Sequence, residues 1–494
     1  MKKVIASFLL AALLVGLCAC GAQTPATTTT AATTTAATTM DNRVKVVEGE
    51  PIEQLDDVSV YLPVTGEAIE LEGLPAYICS EGSRVVYKDP KKVRYDQVSH
   101  TFQKTDAASF ITFLQNLEAD GWEQYSNNII AGTSLFATYT KDGGSLYCYY
   151  IPGKNTAYVH ASPYQNLEAR QEDNTYEAVC APLLTQVDMT HETRPNGMSY
   201  VIRLSDGRFI IVDGGFNEAD FLEARRLYAL LQEQNVLPKI TIAAWIITHP
   251  HRDHLATAGD FLRYYNSSQA EIQQFIYNFS TDSAILETED FVLVEDDPAK
   301  LPAFLLALET LWPHVPVTVA HTGQRYYFAD AEIEILHTQE DYFPQDIIMQ
   351  AQDPVNGASV VFSVELAGQK ILFLGDSAVG CSKDTVTMWG SYLKSDIMQA
   401  AHHGLNGGSK ELYSAIDPTV VMVPGAARTI KTILGFAYSR WIWNNESGNI
   451  REVIFSDFAQ RTLELPYTPA EGTEYFSNAT SDPWAGYASK YKNP

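Results

Sequence analysis

The segment Thr248-His249-Pro250-His251-Arg252-Asp253-His254 packs three imidazoles and a carboxylate into one short stretch of a 494-residue chain that has only 11 histidines. Imidazole nitrogen and carboxylate oxygen suit zinc, and also manganese or iron. A loop can turn His249 and His251 toward one ion while Asp253 and His254, further round, reach a second. Two such ions would acidify a water held between them and polarise a carbonyl or phosphoryl oxygen, which is hydrolytic chemistry.

The flanking sequence reads as the scaffold such a loop needs. Ile240 to Ile247 is a near-continuous apolar run, as expected of a strand buried on both faces, and it delivers the histidines at its C-terminal end, where α/β folds place their sites. Upstream, Ser199 to Leu204 and Arg208 to Val212 read as strands joined at Asp206-Gly207, the second running into Asp213-Gly214-Gly215. Asn217 is expected to cap a helix whose apolar face holds Phe221, Leu222, Leu227, Leu230 and Leu231 and which ends before Pro238. Downstream, the apolar runs Lys370 to Leu374 and Ile397 to Ala401 lead into Asp376 and into His402-His403. His321 and His337 are substitute candidates for a metal ligand but read first as ordinary loop and strand-end residues, and Tyr438, Trp441 and Trp443 read as core.

From Val201 to Glu464 these motifs, in this order, resemble the metallo-β-lactamase fold superfamily. The resemblance implies an α/β fold, an αββα sandwich of two mixed sheets flanked by helices. It further implies that Asp213 braces the histidine loop, that Asp376 bridges two ions, and that His402 or His403 completes the second metal site. His402 is the preferred ligand. His403, its neighbour, together with Asp253, is then assigned to catalysis, Asp253 orienting the attacking water and the histidine pair holding negative charge or protonating a leaving group. Two zinc ions are expected, with manganese or iron as alternatives.

One departure from the family's pattern stands out. Where the superfamily commonly has another histidine ahead of the bridging aspartate, this chain reads Asp353-Pro354-Val355-Asn356-Gly357-Ala358-Ser359. Asn356, Ser359 and His402-His403-Gly404 are instead similar to the ComEC competence-protein subgroup, which implies a first metal site with one protein ligand fewer and favours phosphodiesters as substrates. A lactonase or β-lactamase is the second enzyme reading. A surface binding protein that keeps the fold without turnover is the reading from another class.

The remainder bounds the setting. Lys2 and Lys3 precede an apolar run from Val4 to Leu17, an export signal over residues 1–19, and Leu17-Cys18-Ala19-Cys20 resembles a bacterial lipobox with Cys20 as the lipidated residue. Residues 20–43 are rich in Thr and Ala and read as a disordered tether, so the chain is expected outside the cytoplasm, held to the membrane by lipid. Residues 44–165 read as a small α+β domain of spacer or recognition type. In it Asp106 caps a helix carrying Phe110, Phe113, Leu114 and Leu117 that stops at Gly121, and Lys141-Asp142-Gly143-Gly144 turns between two strands. Residues 176–470 form the hydrolase domain and 471–494 a tail. A formal charge of −26 disfavours a stable nucleic-acid complex and leaves a small molecule or an envelope polymer as substrate. Cys79, Cys148, Cys180 and Cys381 match no metal-knuckle spacing.

Overall fold

Alternation along the strands decides the layers. In Tyr200–Arg203 and Phe209–Val212, the side chains of Tyr200, Ile202, Ile210 and Val212 enter one core while Val201, Phe209 and Ile211 enter another on the opposite face. A computed structural model describes residues 67–79, 83–88, 98–130, 134–162, 167–169, 176–189, 196–278, 300–338, 354–426, 440–456 and 460–477. The export signal, the tether with Cys20, Asp353, Tyr438 and the tail beyond residue 477 lie outside them. The described residues up to Ser162, with Thr387–Tyr392, form one compact unit, and the other described residues form a second.

The first unit is an antiparallel sheet of six strands in the order Ser83–Lys88, Val98–Gln103, Thr156–Ser162, Gly144–Ile151, Ser134–Lys141, Glu123–Ile130. The helix Ala107–Ala119 begins where expected, because the Asp106 carboxylate accepts from Ser109 N at 2.7 Å. It packs Phe110, Phe113, Leu114 and Leu117 onto Phe102, Leu135, Leu146 and Tyr150. Asp142 and Gly143 both have positive φ, 51° and 81°, the pairing that a two-residue hairpin turn requires.

The second unit holds two sheets, each of eight strands among the described residues. The first runs Val317–Val319, Phe275–Tyr277, Ile240–Ile246, Phe209–Val212, Tyr200–Arg203, Leu183–Gln186, Arg461–Glu464, with Ala270–Ile272 also on Ile240–Ile246. The second runs Arg325–Phe328, Ala331–His337, Val361–Leu366, Gln369–Phe373, Ile397–Gln399, Val420–Val423, Glu452–Phe455, Phe476–Ser477. Both mix parallel and antiparallel pairs. Their facing sides share one core, in which Tyr200, Ile210 and Ile246 meet Ile333, Phe362 and Phe373. The helices Leu222–Gln234, Arg252–Tyr264 and Lys300–Leu311 bury Leu227, Leu231, Leu255, Phe261 and Phe304 against the outer side of the first sheet. Outside the second, Trp443 of the helix Arg440–Trp443 stacks on Phe455 at 6.1 Å, and Trp441 lies 6.0 Å from Tyr413 of the helix Lys410–Ile416, so both tryptophans are core. Sheets back to back with helices outside are the expected αββα layering.

The sequence reading of Asn217 needs correction. Its side-chain oxygen accepts from Arg252 Nε at 3.2 Å, and the helix instead starts at Leu222 after Asp220 and Phe221, both left-handed, with no side-chain cap. Leu222, expected on the apolar face, is exposed. Among the cysteines, Cys148, Cys180 and Cys381 are free thiols.

Candidate metal centre

Four strand ends of the second unit converge, those of Phe209–Val212, Ile240–Ile246, Gln369–Phe373 and Ile397–Gln399. The first supplies the brace. Asp213 is fully buried with φ 56°, and its Oδ1 accepts from Thr248 N at 2.7 Å while Oδ2 accepts from Thr248 Oγ1 at 2.8 Å and from His254 Nδ1 at 2.7 Å. Gly214 follows because nothing larger fits: a Cβ there would stand 2.8 Å from Ala258 N, and Gly214 N donates to His254 O at 2.6 Å. The turn after the first strand is thus locked against the helix that carries His254.

That helix begins sooner than a loop reading of the motif suggests. Arg252–Tyr264 is helical with His251 at its N-cap, so Asp253 and His254 sit in its first turn, and His249 and His251 lie in the preceding extended segment. His249 Nε2 and His251 Nδ1 are 3.0 Å apart, and Thr248 Oγ1 lies 3.1 Å from His249 Nδ1.

Asp376 enters from the second sheet. Gly375, at φ 53°, lets the chain turn between Thr248 and Ser359, where a Cβ would meet both at 3.0 Å. Ser359 Oγ accepts from Asp376 N at 3.1 Å and lies 3.3 Å from His249 Nδ1, so this hydroxyl ties the aspartate to the first histidine. Asn356 is buried in the turn before it, where its carbonyl accepts from Ser359 N at 3.0 Å. Asp376 Oδ2 stands 3.2 Å from His254 Nε2, 3.3 Å from His403 Nε2, 3.8 Å from His402 Nε2 and 3.9 Å from His249 Nε2.

The paired histidines differ in the structure. Both have left-handed backbones, φ 49° and 55°, and both Nε2 atoms approach Asp376 Oδ2, but the two rings differ in burial and in their other partners. His403 is buried, its Nδ1 donates to Pro424 O at 2.9 Å, and its Nε2 lies 3.0 Å from Asp253 Oδ2. His402 keeps 20% of its side chain exposed. The sequence reading preferred His402 as ligand, and this geometry favours His403.

One atom each from Asp253, His254, Asp376 and His403 lie within 4.8 Å of one another. Carbonyl and carboxylate oxygens only accept, so the protons on His403 Nδ1 and His254 Nδ1 are committed to Pro424 and Asp213, and both Nε2 atoms point inward. Asp376 Oδ1 is buried without a hydrogen-bond partner among the described residues. A buried carboxylate oxygen with nothing to bond is costly, and a cation offsets that cost. This donor set therefore fits a divalent metal. His321 and His337 are not in the cluster, and His337 lies against Cys381, its Nδ1 3.3 Å from Sγ.

The electrostatics follow from the packing. Burial, aided by the charges of His254 and His251, holds His249 well below the ordinary histidine value, and burial takes His251 down to about 4 against the pull of Asp253 and Asp376. Burial also opposes charge on His254 and His403, yet Asp376 and Asp213 raise the first well above its ordinary value, and Asp376 and Asp253 raise the second to about 10. Burial works against ionised Asp253 and Asp376 too, but the histidines around them hold both below the usual carboxylate range. Without metal, the cluster is a nest of interlocked ion pairs.

Residues 193–425 match the family model described as the metallo-beta-lactamase superfamily. The chain carries a metallo-beta-lactamase superfamily domain. Among solved structures, the chain is similar to YhfI from Bacillus subtilis, a metallo-beta-lactamase fold protein, at 12% identity over 57% of this chain and 99% of that one, with TM-score 0.33. It is also similar to CmlA, a diiron beta-hydroxylase from Streptomyces venezuelae, at 13% identity over 59% of this chain, with TM-score 0.33. The long form of RNase Z from yeast gives 10% identity over 59% of this chain, with TM-score 0.29. The chain covers 55% of the hydroxylase and 43% of the RNase Z. No curated protein matches it.

Three residues of the metallo-beta-lactamase domain that shape the site went unremarked in the sequence: Thr248, Gln399 and Pro424. Thr248 directly precedes the motif, and Gln399 is a lone carboxamide in the apolar run Ile397 to Ala401, a signal that was available. Pro424 acts through its backbone carbonyl, which no residue type announces.

Proposed function

We propose that this chain is a metal-dependent hydrolase that cleaves phosphodiesters outside the cytoplasm, tethered by a lipid on Cys20. The observation that carries the reading is the convergence of Asp253, His254, Asp376 and His403, with His249 and His251 beside them. His254, Asp253, Asp376 and His403 would hold one ion, and His249 and His251, with Asp376 shared, a second; zinc suits the donors, as do manganese and iron. When bound, such ions supply Lewis acidity, which polarises a phosphoryl oxygen and acidifies water.

The chain's own groups do the positioning. Asp213 and the Pro424 carbonyl fix the rings of His254 and His403. Asp253, beside His403 and with 14% of its side chain exposed, can orient an attacking water through its carboxylate. His402 stands partly open next to Asp376, placed to hydrogen-bond a leaving group or a phosphoryl oxygen. The phosphodiester preference draws on Asn356, Ser359 and the His402-His403-Gly404 pattern, and the location on the composition of residues 1–43. The charge of −26 favours small diesters or envelope polymers over long nucleic acids.

A substrate panel tests this: the metal-loaded chain with bis(p-nitrophenyl) phosphate, a chromogenic β-lactam and a homoserine lactone. Turnover of the diester alone is expected. Preferred turnover of the lactam or lactone would replace phosphodiesters with those substrates, and metal binding without any turnover would leave a surface binding protein.

A further inference from the structure

The two ligand-bearing turns of the second sheet are joined by one buried carboxamide. Gln399 ends the strand Ile397–Gln399, which pairs in parallel with Gln369–Phe373, and it is 1% exposed. Its Oε1 accepts from Leu374 N at 2.8 Å, and its Nε2 donates to Gly375 O at 3.0 Å and to Ala400 O at 2.6 Å. Leu374 and Gly375 lead directly into Asp376, and Ala400 leads into Ala401, His402 and His403. Gly375 O also accepts from His402 N at 3.1 Å, so one carbonyl receives both the glutamine and the histidine turn.

Past the last strand pair the ladder stops, and nothing in regular sheet geometry would set where the two turns stand. The Asp376 turn contains a left-handed Gly375 and the other turn a left-handed His402 and His403, so both have left regular strand geometry and must be held by contacts of their own. A carboxamide has a donor end and an acceptor end of fixed separation, and here both are consumed by main-chain groups of the two turns. Buried polar groups of this kind are held to one arrangement because any other leaves them unpaired.

We propose that Gln399 is a positioning residue that sets the separation of Asp376 from His403 and thereby tunes metal affinity. This rests on the metal-centre reading above. Replacing the amide by a group of equal length changes no proposed ligand residue and removes the side-chain link between the turns, leaving the His402 N to Gly375 O bond to hold them alone.

The test uses the full chain as wild type, Gln399→Met and Gln399→Glu. Methionine keeps the length and loses all three hydrogen bonds, whereas glutamate keeps the bond from Leu374 N and loses the two donors. Cobalt titration followed by visible absorption, with zinc competition, reads affinity and ligand geometry, and unfolding midpoints without metal read stability. Expected are an altered cobalt spectrum and roughly 10- to 100-fold weaker binding in both variants that fold. A folded variant with the wild-type spectrum and affinity overturns the positioning role alone. Failure of both variants to fold assigns Gln399 to stability and also overturns it. A wild type that takes up no cobalt overturns the metal-centre reading and this proposal with it.

Discussion

Asp213 and His254 meet at 2.7 Å between Oδ2 and Nδ1, both side chains fully out of solvent. The contact commits the Nδ1 proton of His254 to a carboxylate and leaves Nε2 facing Asp376. A carboxylate outside the cluster of Asp253, His254, Asp376 and His403 thus orients a histidine within it.

Asp213→Asn therefore carries a defined cost. The amide keeps the shape but loses the charge and can present an N–H to the ring, misorienting His254. Metal affinity is expected to fall roughly 10- to 100-fold, measured by competition with a chromophoric chelator. Unchanged affinity would remove Asp213 from the site's function.

The neighbouring histidines are expected to behave unequally. His403→Ala should abolish tight binding of the ion held with Asp253, His254 and Asp376, whereas His402→Ala should keep its metal and lose turnover. Elemental analysis of the two purified variants separates them. Metal lost in His402→Ala and kept in His403→Ala would restore the order expected from sequence.

Acid and base act in opposite senses on the metal-free and metal-bound protein. His403 is raised from 6.5 to about 10, so its contribution to metal-free stability is fully present below 6.5 and is lost as pH rises through about 10. The same proton must leave Nε2 before that nitrogen can take a cation, so metal affinity should rise across the same window while metal-free stability falls. Calorimetric titrations in buffers of different ionisation enthalpy should register proton release on metal binding near neutral pH. Binding with no proton release would contradict the raised histidines.

Much of this was legible in the sequence because strand periodicity and strand-end placement are local. The run Ile240 to Ile247 reads as a doubly buried strand, and the structure has the strand Ile240–Ile246 with the histidines at its end. Asn217 misled because a good capping residue has other uses, and Arg252 claims it across the site. The order of His402 and His403 was hidden for another reason: two successive left-handed residues send adjacent side chains in directions that no sequence pattern encodes. Gln399 and the Pro424 carbonyl matter only through contacts made after the sheets close.

The most direct measurement is the metal content of the purified chain by elemental analysis, paired with bis(p-nitrophenyl) phosphate turnover, for wild type and Asp376→Ala. Close to two ions per chain, with metal and turnover both collapsing in the variant, is the predicted result. A wild type with no bound metal and no turnover after addition of zinc or manganese would contradict it.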